Sequence, residues 1–403
     1  MKTFIGRRSW LPAAAAIFTM AWGGNHFTPL LPLYERLGHH SQIEVNLLLA
    51  TYVAGLAPGL LAAGPVSNRW GRRPTLVIGL IAGLTASVVL SAGLNSELML
   101  CVGRSFAGLS VGVAMSVGST WVRELTDAAQ IDDVDGNAGP KRSSLALTLG
   151  FGVGAGVSGA IAQWAPNPTF VPYVVHFGLS SVALVLVFNS PETRRRSRVA
   201  VPRGAWTGVG RIIAQPRVLL IIAPIAPWVF GAAGLAYATM PQLMAPQLGS
   251  LTVAYAALLT VGTLGAAAVI QPLVSRINAA TGGRALLVGF VIMLAGVGSA
   301  FANTILLSPL FAGLVALLLG LAYGLCLVAG LIEVQRLASP ATLPTVVGLY
   351  YSVSYAGFAL PVVLSSLAPT VGYPALLAAL VGACAVTLAT ALLATRWTGR
   401  NNN

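Results

Sequence analysis

Three polar residues sit where the chain is otherwise apolar, and they hold most of the chemistry on offer. Arg104 lies about seven residues inside the apolar stretch 97–122, roughly 10 Å deep at 1.5 Å per residue. A guanidinium stays charged at any depth, so it must face a cavity or a partner. Asn25 and His26 lie about nine residues from the far end of the stretch 11–34, roughly 13 Å deep by the same rise. The depths agree, so Arg104 is expected to face that stretch. Thr19, Trp22, Asn25 and His26 share one helical face at spacings of three and four. No Asp or Glu lies in the middle of any apolar stretch; the closest is Glu333, near one end. His26 is then the best candidate to carry a proton, its ordinary pKa of about 6.5 suiting a physiological switch. The alternative is a neutral ring with one hydrogen bond to a neighbouring helix. His39 and His40 are expected to be solvated.

A second set suits binding. Tyr351, Ser354, Tyr355 and Phe358 recur at i, i+3, i+4 and i+7, and Trp228 and Tyr237 mark the seventh apolar stretch. Such rings hold flat apolar or cationic compounds by stacking and cation–π contact. Interfacial anchoring and ordinary packing compete with that role. Catalysis finds no footing: no Walker-type phosphate loop is present, and no enzyme activity is expected. Asp132, Asp133 and Asp135 are expected to be solvated rather than to bind a cation. Cys101, Cys326 and Cys384 have neither disulfide nor metal spacing and suit buried apolar positions. No metal and no cofactor are expected.

The elements that position these residues follow from composition. Of 403 residues, 56% are hydrophobic and only 8% charged, against about 25% charged in soluble proteins. That excludes an ordinary soluble enzyme, and disorder needs far lower hydrophobicity. A membrane crossing takes about 20 apolar residues of helix. Twelve stretches qualify, near 11–34, 44–66, 75–94, 97–122, 143–164, 169–190, 217–245, 250–275, 285–303, 306–334, 343–365 and 372–395. The first follows Lys2, Arg7 and Arg8 but is too long for a typical signal-peptide core, so it is taken as a span.

The net charge of +13 is sorted by side. With twelve spans, 21 of the 23 basic residues fall on the side of the termini; Arg36 lies opposite and Arg104 is within a span. The positive-inside rule then predicts both termini in the cytoplasm, with the chain in the inner (cytoplasmic) membrane. The basic segment 191–216, with Arg194, Arg195, Arg196, Arg198, Arg203 and Arg211, suits anionic lipid better than nucleic acid. It also divides the chain into a six-span bundle over 1–190 and a second over 217–403.

Between spans two and three the chain reads Gly64-Pro65-Val66-Ser67-Asn68-Arg69-Trp70-Gly71-Arg72-Arg73. Glycines there permit a tight turn between antiparallel helices. The nearest acids for three loop arginines are Glu124 and Asp127. The alternative is that the arginines only set topology. Six spans later comes a weaker copy, Pro272 to Arg276 and then Gly282-Gly283-Arg284, with Glu333 mirroring Glu124.

The first loop resembles the signature loop of the major facilitator superfamily through Gly64, Arg69, Gly71, Arg72 and Arg73, with Asn68 where the family carries Asp. Arg104 and Gly108 are similar to its Arg-x-x-Gln-Gly motif. Gly150, Gly154 and Gly159 resemble its antiporter motif, which also suits close helix packing; Pro191-Glu192-Thr193-Arg194 resembles another element. The resemblance implies an all-α membrane protein with twelve transmembrane helices in two pseudo-symmetric six-helix bundles. It implies that spans one, four, seven and ten line a central cavity, that span six, with His176, is peripheral, and that the first loop latches the outward-facing state. The Asn68 departure bears on that latch. The expected function is export of a small amphipathic or drug-like molecule by proton antiport through alternating access, with Arg104 ordering the site and tuning its partner's ionisation. Proton-independent uptake or facilitated diffusion of a metabolite is the first alternative. A non-transporting membrane sensor or scaffold is the second. The expected partners are a small-molecule substrate, protons and the lipid bilayer, with the chain a monomer and no nucleic acid bound.

Overall fold

The computed structural model describes residues 6, 8–129, 138–193, 205–339 and 342–400. Lys2, Arg7, the three aspartates at 132, 133 and 135, and the arginines at 194–196, 198 and 203 lie outside them. Among the described residues every regular element is helical. Lipid cannot satisfy backbone N–H and C=O groups, so apolar segments of this length close their hydrogen bonds internally.

Ten helical runs are long and apolar enough to cross a membrane among the described residues. One of them, Val218–Ala280, is 63 residues long, roughly 95 Å of helix and too long for one crossing. It reverses at Gly249, where φ is 52°, and so contains two. The first span escapes the length test because it is broken into Leu11–Asn25, Thr28–Leu30 and Leu31–Leu37. Twelve crossings result, as the charge alternation predicts. We number them α1 (11–37), α2 (Gln42–Trp70), α3 (Arg72–Ala92), α4 (Glu97–Ala128), α5 (Ala138–Trp164), α6 (Val171–Phe188), α7 (218–248), α8 (252–280), α9 (Ala285–Leu306), α10 (Pro309–Leu337), α11 (343–371) and α12 (Tyr373–Arg400). A short helix, Ala205–Ile213, precedes α7.

Two compact units emerge. One comprises Met1–His40 and Thr51–Val201, the other Ser41–Ala50 and Pro202–Asn403, so the first turns of α2 group with the second unit. The units repeat each other's packing. In the first, α3 lies on α4 and α6, and α1 on α4 and α5; in the second, α9 lies on α10 and α12, and α7 on α10 and α11.

Glycine makes one repeated seam possible. A Cβ on Gly108 of α4 would overlap the Tyr52 carbonyl of α2. A Cβ on Gly320 of α10 would overlap the Thr263 carbonyl of α8. Backbones this close gain dispersion contact, which drives helix association where no hydrophobic effect operates.

Regular helix is interrupted in several spans. Pro29 has no N–H to continue α1, so the chain tightens into a 3₁₀ turn after His26. Five-residue π turns interrupt α4 at Ala114–Gly118 and α7 at Leu235–Thr239.

Candidate functional site

In the first unit Arg104 is 2% exposed. Its Nη1 donates to the Gly24 carbonyl at 3.1 Å. Gly24 lies in the last turn of the first helical piece of α1, where carbonyls lack intrahelical partners and the helix dipole is negative. The arginine thus caps α1 from α4. Its guanidinium also lies 4.7 Å from the Phe27 ring centre and 4.6 Å from that of Tyr52, both favourable cation–π distances. A charge in hydrocarbon is held here by a helix end and two ring faces.

The stripe expected on α1 is shared between two neighbours. Asn25 Nδ2 donates to the Phe151 carbonyl of α5 at 3.2 Å, and its Oδ1 accepts from Thr28. Trp22 packs on Gly154 of α5, where a Cβ would come within 2.8 Å of its Cα. Gly150 meets Phe18 and Ala21 of α1 in the same seam. Those two antiporter-motif glycines therefore pack helices, while Gly159 is simply buried in α5.

His26 turns the other way. It is fully buried, neither ring nitrogen has a hydrogen-bond partner among the described residues, and its ring stands edge-on to Tyr173 and His176 of α6, 4.8 Å from each. Tyr173 and Tyr34 join hydroxyls at 2.6 Å. His176 is itself bonded to α1 and α3, through the Thr19 carbonyl at 2.9 Å and Ser87 Oγ at 2.5 Å. Spacing along one helix could not reveal Tyr34, Tyr173, Ser87 or the pairing of the histidines. The signal available was weak: polar side chains in three otherwise apolar spans.

The signature loop is shorter than expected. α2 continues through Asn68 and Arg69 to Trp70, so Gly64 is helical, with open space where a Cβ would stand. Gly71 alone turns the chain, at φ 109°, a conformation open chiefly to glycine. Glu192 caps the new helix: the N–H groups of Arg72 and Arg73 donate to its carboxylate at 3.0 and 2.9 Å. Arg72 then grips Glu124 at 2.8 Å and donates to Ser67 Oγ and Asn68 Oδ1, while Arg73 reaches the Phe188 carbonyl. Asp127 is not a loop partner; it lies beside Arg123 one turn earlier, both exposed, at 3.9 Å. Arg69 is exposed.

The second copy works differently. Glu333 of α10 accepts from Arg217 at the start of α7, 2.7 Å away, while Arg276 is exposed. The mirrored acid keeps its place but takes its arginine from another segment, and the loop between α8 and α9 differs from the first: residues 271–273 form a 3₁₀ turn and Gly282 and Gly283 both have positive φ.

In the second unit the aromatic stripe is a real cluster with different members. Phe230 of α7 stacks on Tyr355 of α11 at 3.6 Å and meets Tyr323 of α10 at 5.3 Å and Phe358 at 5.2 Å. Tyr237 flanks Phe358 at 6.4 Å. Trp228 stands apart, against Phe290 of α9, and Tyr351 lies against Tyr350. Ser354 is fully buried. Phe230 and Tyr323 escaped the sequence pattern because they come from different helices.

Comparison with known proteins bears on the whole chain. The family model described as Major Facilitator Superfamily matches residues 13–362. Multidrug resistance protein MdtL of Salmonella schwarzengrund (strain CVM19633) is 29% identical over 87 residues, 22% of each chain, so the likeness spans under a quarter of that relative's length. Two solved structures share the fold: the nucleoside transporter NupG, with a TM-score of 0.73 at 12% identity over 96% of this chain and 99% of that one, and a D-xylose-proton symporter, with a TM-score of 0.70 at 14% identity over 96% and 95%.

Proposed function

Because this chain belongs to the major facilitator superfamily and is a multi-pass membrane transporter of small molecules, we propose that it exports flat amphipathic or drug-like compounds in exchange for protons. The observation that carries this is the buried ring cluster built on the Phe230–Tyr355 stack. Aromatic rings suit flat cationic or apolar compounds, since cation–π contact and stacking need no fixed hydrogen-bond pattern. The partial likeness to a multidrug resistance protein points the same way.

Each unit has a task. In the second, Tyr355, Phe230, Phe358 and Tyr237 contact substrate, with Tyr351, Ser354 and Trp228 shaping the surroundings. In the first, Arg104 fixes the end of α1, Trp22 and Asn25 hold that helix to α5, and the histidine pair beside it takes up the proton. Alternating access then moves both across the membrane. The Arg72–Glu124–Glu192 network keeps the signature loop rigid enough to act as a latch, and Asn68 in place of Asp weakens it. The basic loops orient the chain with both termini in the cytoplasm.

Ethidium, flat and cationic, is a suitable probe. Proteoliposomes with an acidic lumen are expected to accumulate it several-fold faster than vesicles at equal pH. Equal rates would remove proton antiport. One observation favours that second outcome, proton-independent flux of a metabolite. Among the described residues no carboxylate lies in mid-span, and Glu333, the deepest, is already paired.

A further inference from the structure

His176 has hydrogen-bond partners that serve it in two protonation states. Its Nε2 lies 2.9 Å from the Thr19 carbonyl. A carbonyl only accepts, so Nε2 carries a hydrogen and donates it. Ser180 Oγ, 3.1 Å from the same nitrogen, also accepts from it. In a neutral ring Nδ1 is then the bare nitrogen, and the Ser87 hydroxyl 2.5 Å away donates to it.

Ser87 has a second outlet. Its Oγ is 3.3 Å from the Gly83 carbonyl one turn back on α3. If Nδ1 gains a proton, Ser87 rotates its hydrogen to Gly83 and accepts from Nδ1–H. The ring becomes cationic without leaving either nitrogen unpaired. A hydroxyl can make this exchange because it holds both a donor and lone pairs; a carbonyl or amide N–H cannot. Close packing preserves the arrangement: a Cβ on Gly23 would come within 2.6 Å of Nε2.

His26 lacks this equipment. Among the described residues neither of its ring nitrogens has a partner in that fully buried site, so a second N–H there would have no acceptor. We infer that His176 is the proton-binding residue of the first unit, the proton adding to the Nδ1 lone pair and leaving the same way, with Ser87 as its exchanging partner. This deepens the proton-coupled reading above and rests on it for its role in transport.

The ionisable surroundings are few. From α1, His26 faces the ring, with the Arg104 guanidinium beyond it at the end of that helix. On α6 itself Tyr173 is the neighbour, bonded to Tyr34. On α3 the nearest charges, Arg72 and Arg73, are 14 or more residues from Ser87, roughly 21 Å along the helix. From α5, Arg142 is turned onto the Trp10 ring, 4.3 Å away, and Lys141 precedes it in the first turn. Among the described residues none of these neighbours is a carboxylate, so hydrogen bonds must hold the cation.

Imidazole nitrogen NMR on the histidine-labelled full chain in liposomes tests this directly. One ring, absent in His176→Gln, is expected to be an Nε2–H tautomer at high pH and to convert to imidazolium as the pH falls from about 8 to about 3. Ser87→Ala removes the acceptor of a charged donor, so proton binding to that ring is expected to weaken about tenfold, a shift of about one pH unit downward. Ser87→Ala barely changes volume and identifies the ring even if His176→Gln does not fold. A ring that stays neutral over that range, an Nδ1–H tautomer, or an unshifted transition in Ser87→Ala would overturn the inference. If His176 titrates but ethidium flux ignores the pH gradient, the antiport reading falls and the proton site stands. If flux follows the gradient while His176 stays neutral, the site falls and antiport stands.

Discussion

The two units share their packing and differ in what they bury. In both, one helix lies on two neighbours in the equivalent places (α3 on α4 and α6, α9 on α10 and α12), and both use glycine to bring backbones together at Gly108 and Gly320. In the first unit, however, the interior beside α1 holds Arg104, His26, His176 and two joined tyrosines. In the second, the matching region holds Phe230, Tyr323, Tyr355 and Phe358. Helix packing in lipid depends on small residues and shape, so a duplicated bundle can keep its seams while its polar content drifts. One unit thus buries charged and polar groups where the other buries rings.

The largest effect should come from the charge in the first unit. Arg104→Ala uncaps α1 and strips two ring contacts, and gradient-driven ethidium flux should fall about 100-fold. Arg104→Lys should recover little of it, because an ammonium cannot lie flat between Phe27 and Tyr52 as a guanidinium does. Recovery to wild-type flux would mean that only the charge matters.

The shared seams should fail alike. Gly108→Ala and Gly320→Ala each force apart a backbone contact, and each should lower thermal stability by about 2–3 kcal/mol. A change tolerated in one unit only would break the packing equivalence.

The two loop networks should not be equal. Arg72 is nearly buried and bound to Glu124, Ser67 and Asn68, whereas the side chain of Arg217 is 39% exposed opposite Glu333. Arg72→Ala should destabilise by about 2–3 kcal/mol, and Arg217→Ala by less than about 1 kcal/mol once solvent screening is allowed for. Thermal denaturation of the purified variants would rank them.

Smaller still is the expected loss at the aromatic cluster. Tyr355→Ala removes one face of the Phe230 stack, so the ethidium KM should rise about tenfold while stimulation by the pH gradient persists. Loss of stimulation with unchanged KM would reverse the assignment of tasks.

Much of this was legible in the sequence, for physical reasons. A charge in lipid has so few tolerable settings that Arg104 could be matched to the end of α1 from depth alone. The arginines sort by side of the membrane, which counts the spans. Glu124 was reachable because it ends the span next to the signature loop. Glu192 resembled a family element, yet its hold on the N–H groups of Arg72 and Arg73 depends on α6 returning to α3, a contact between residues about 120 apart. In sequence the stripe on α1 is a single helical face. Spacings of three and four describe a band wide enough to touch two neighbours, and Trp22 and Asn25 met α5 while His26 met α6. The surroundings of His176 are not legible in the sequence, because its partners Thr19 and Ser87 come from two other helices and leave no periodic trace.

The division of tasks can be tested in one measurement. Ethidium uptake into proteoliposomes is recorded with an acidic lumen and at equal pH, for Ser87→Ala and Tyr355→Ala side by side. Ser87→Ala is expected to lose most of the stimulation by the gradient at unchanged KM, and Tyr355→Ala to raise KM while keeping the stimulation. Loss of stimulation and affinity together in both variants would mean that the two units do not divide the work.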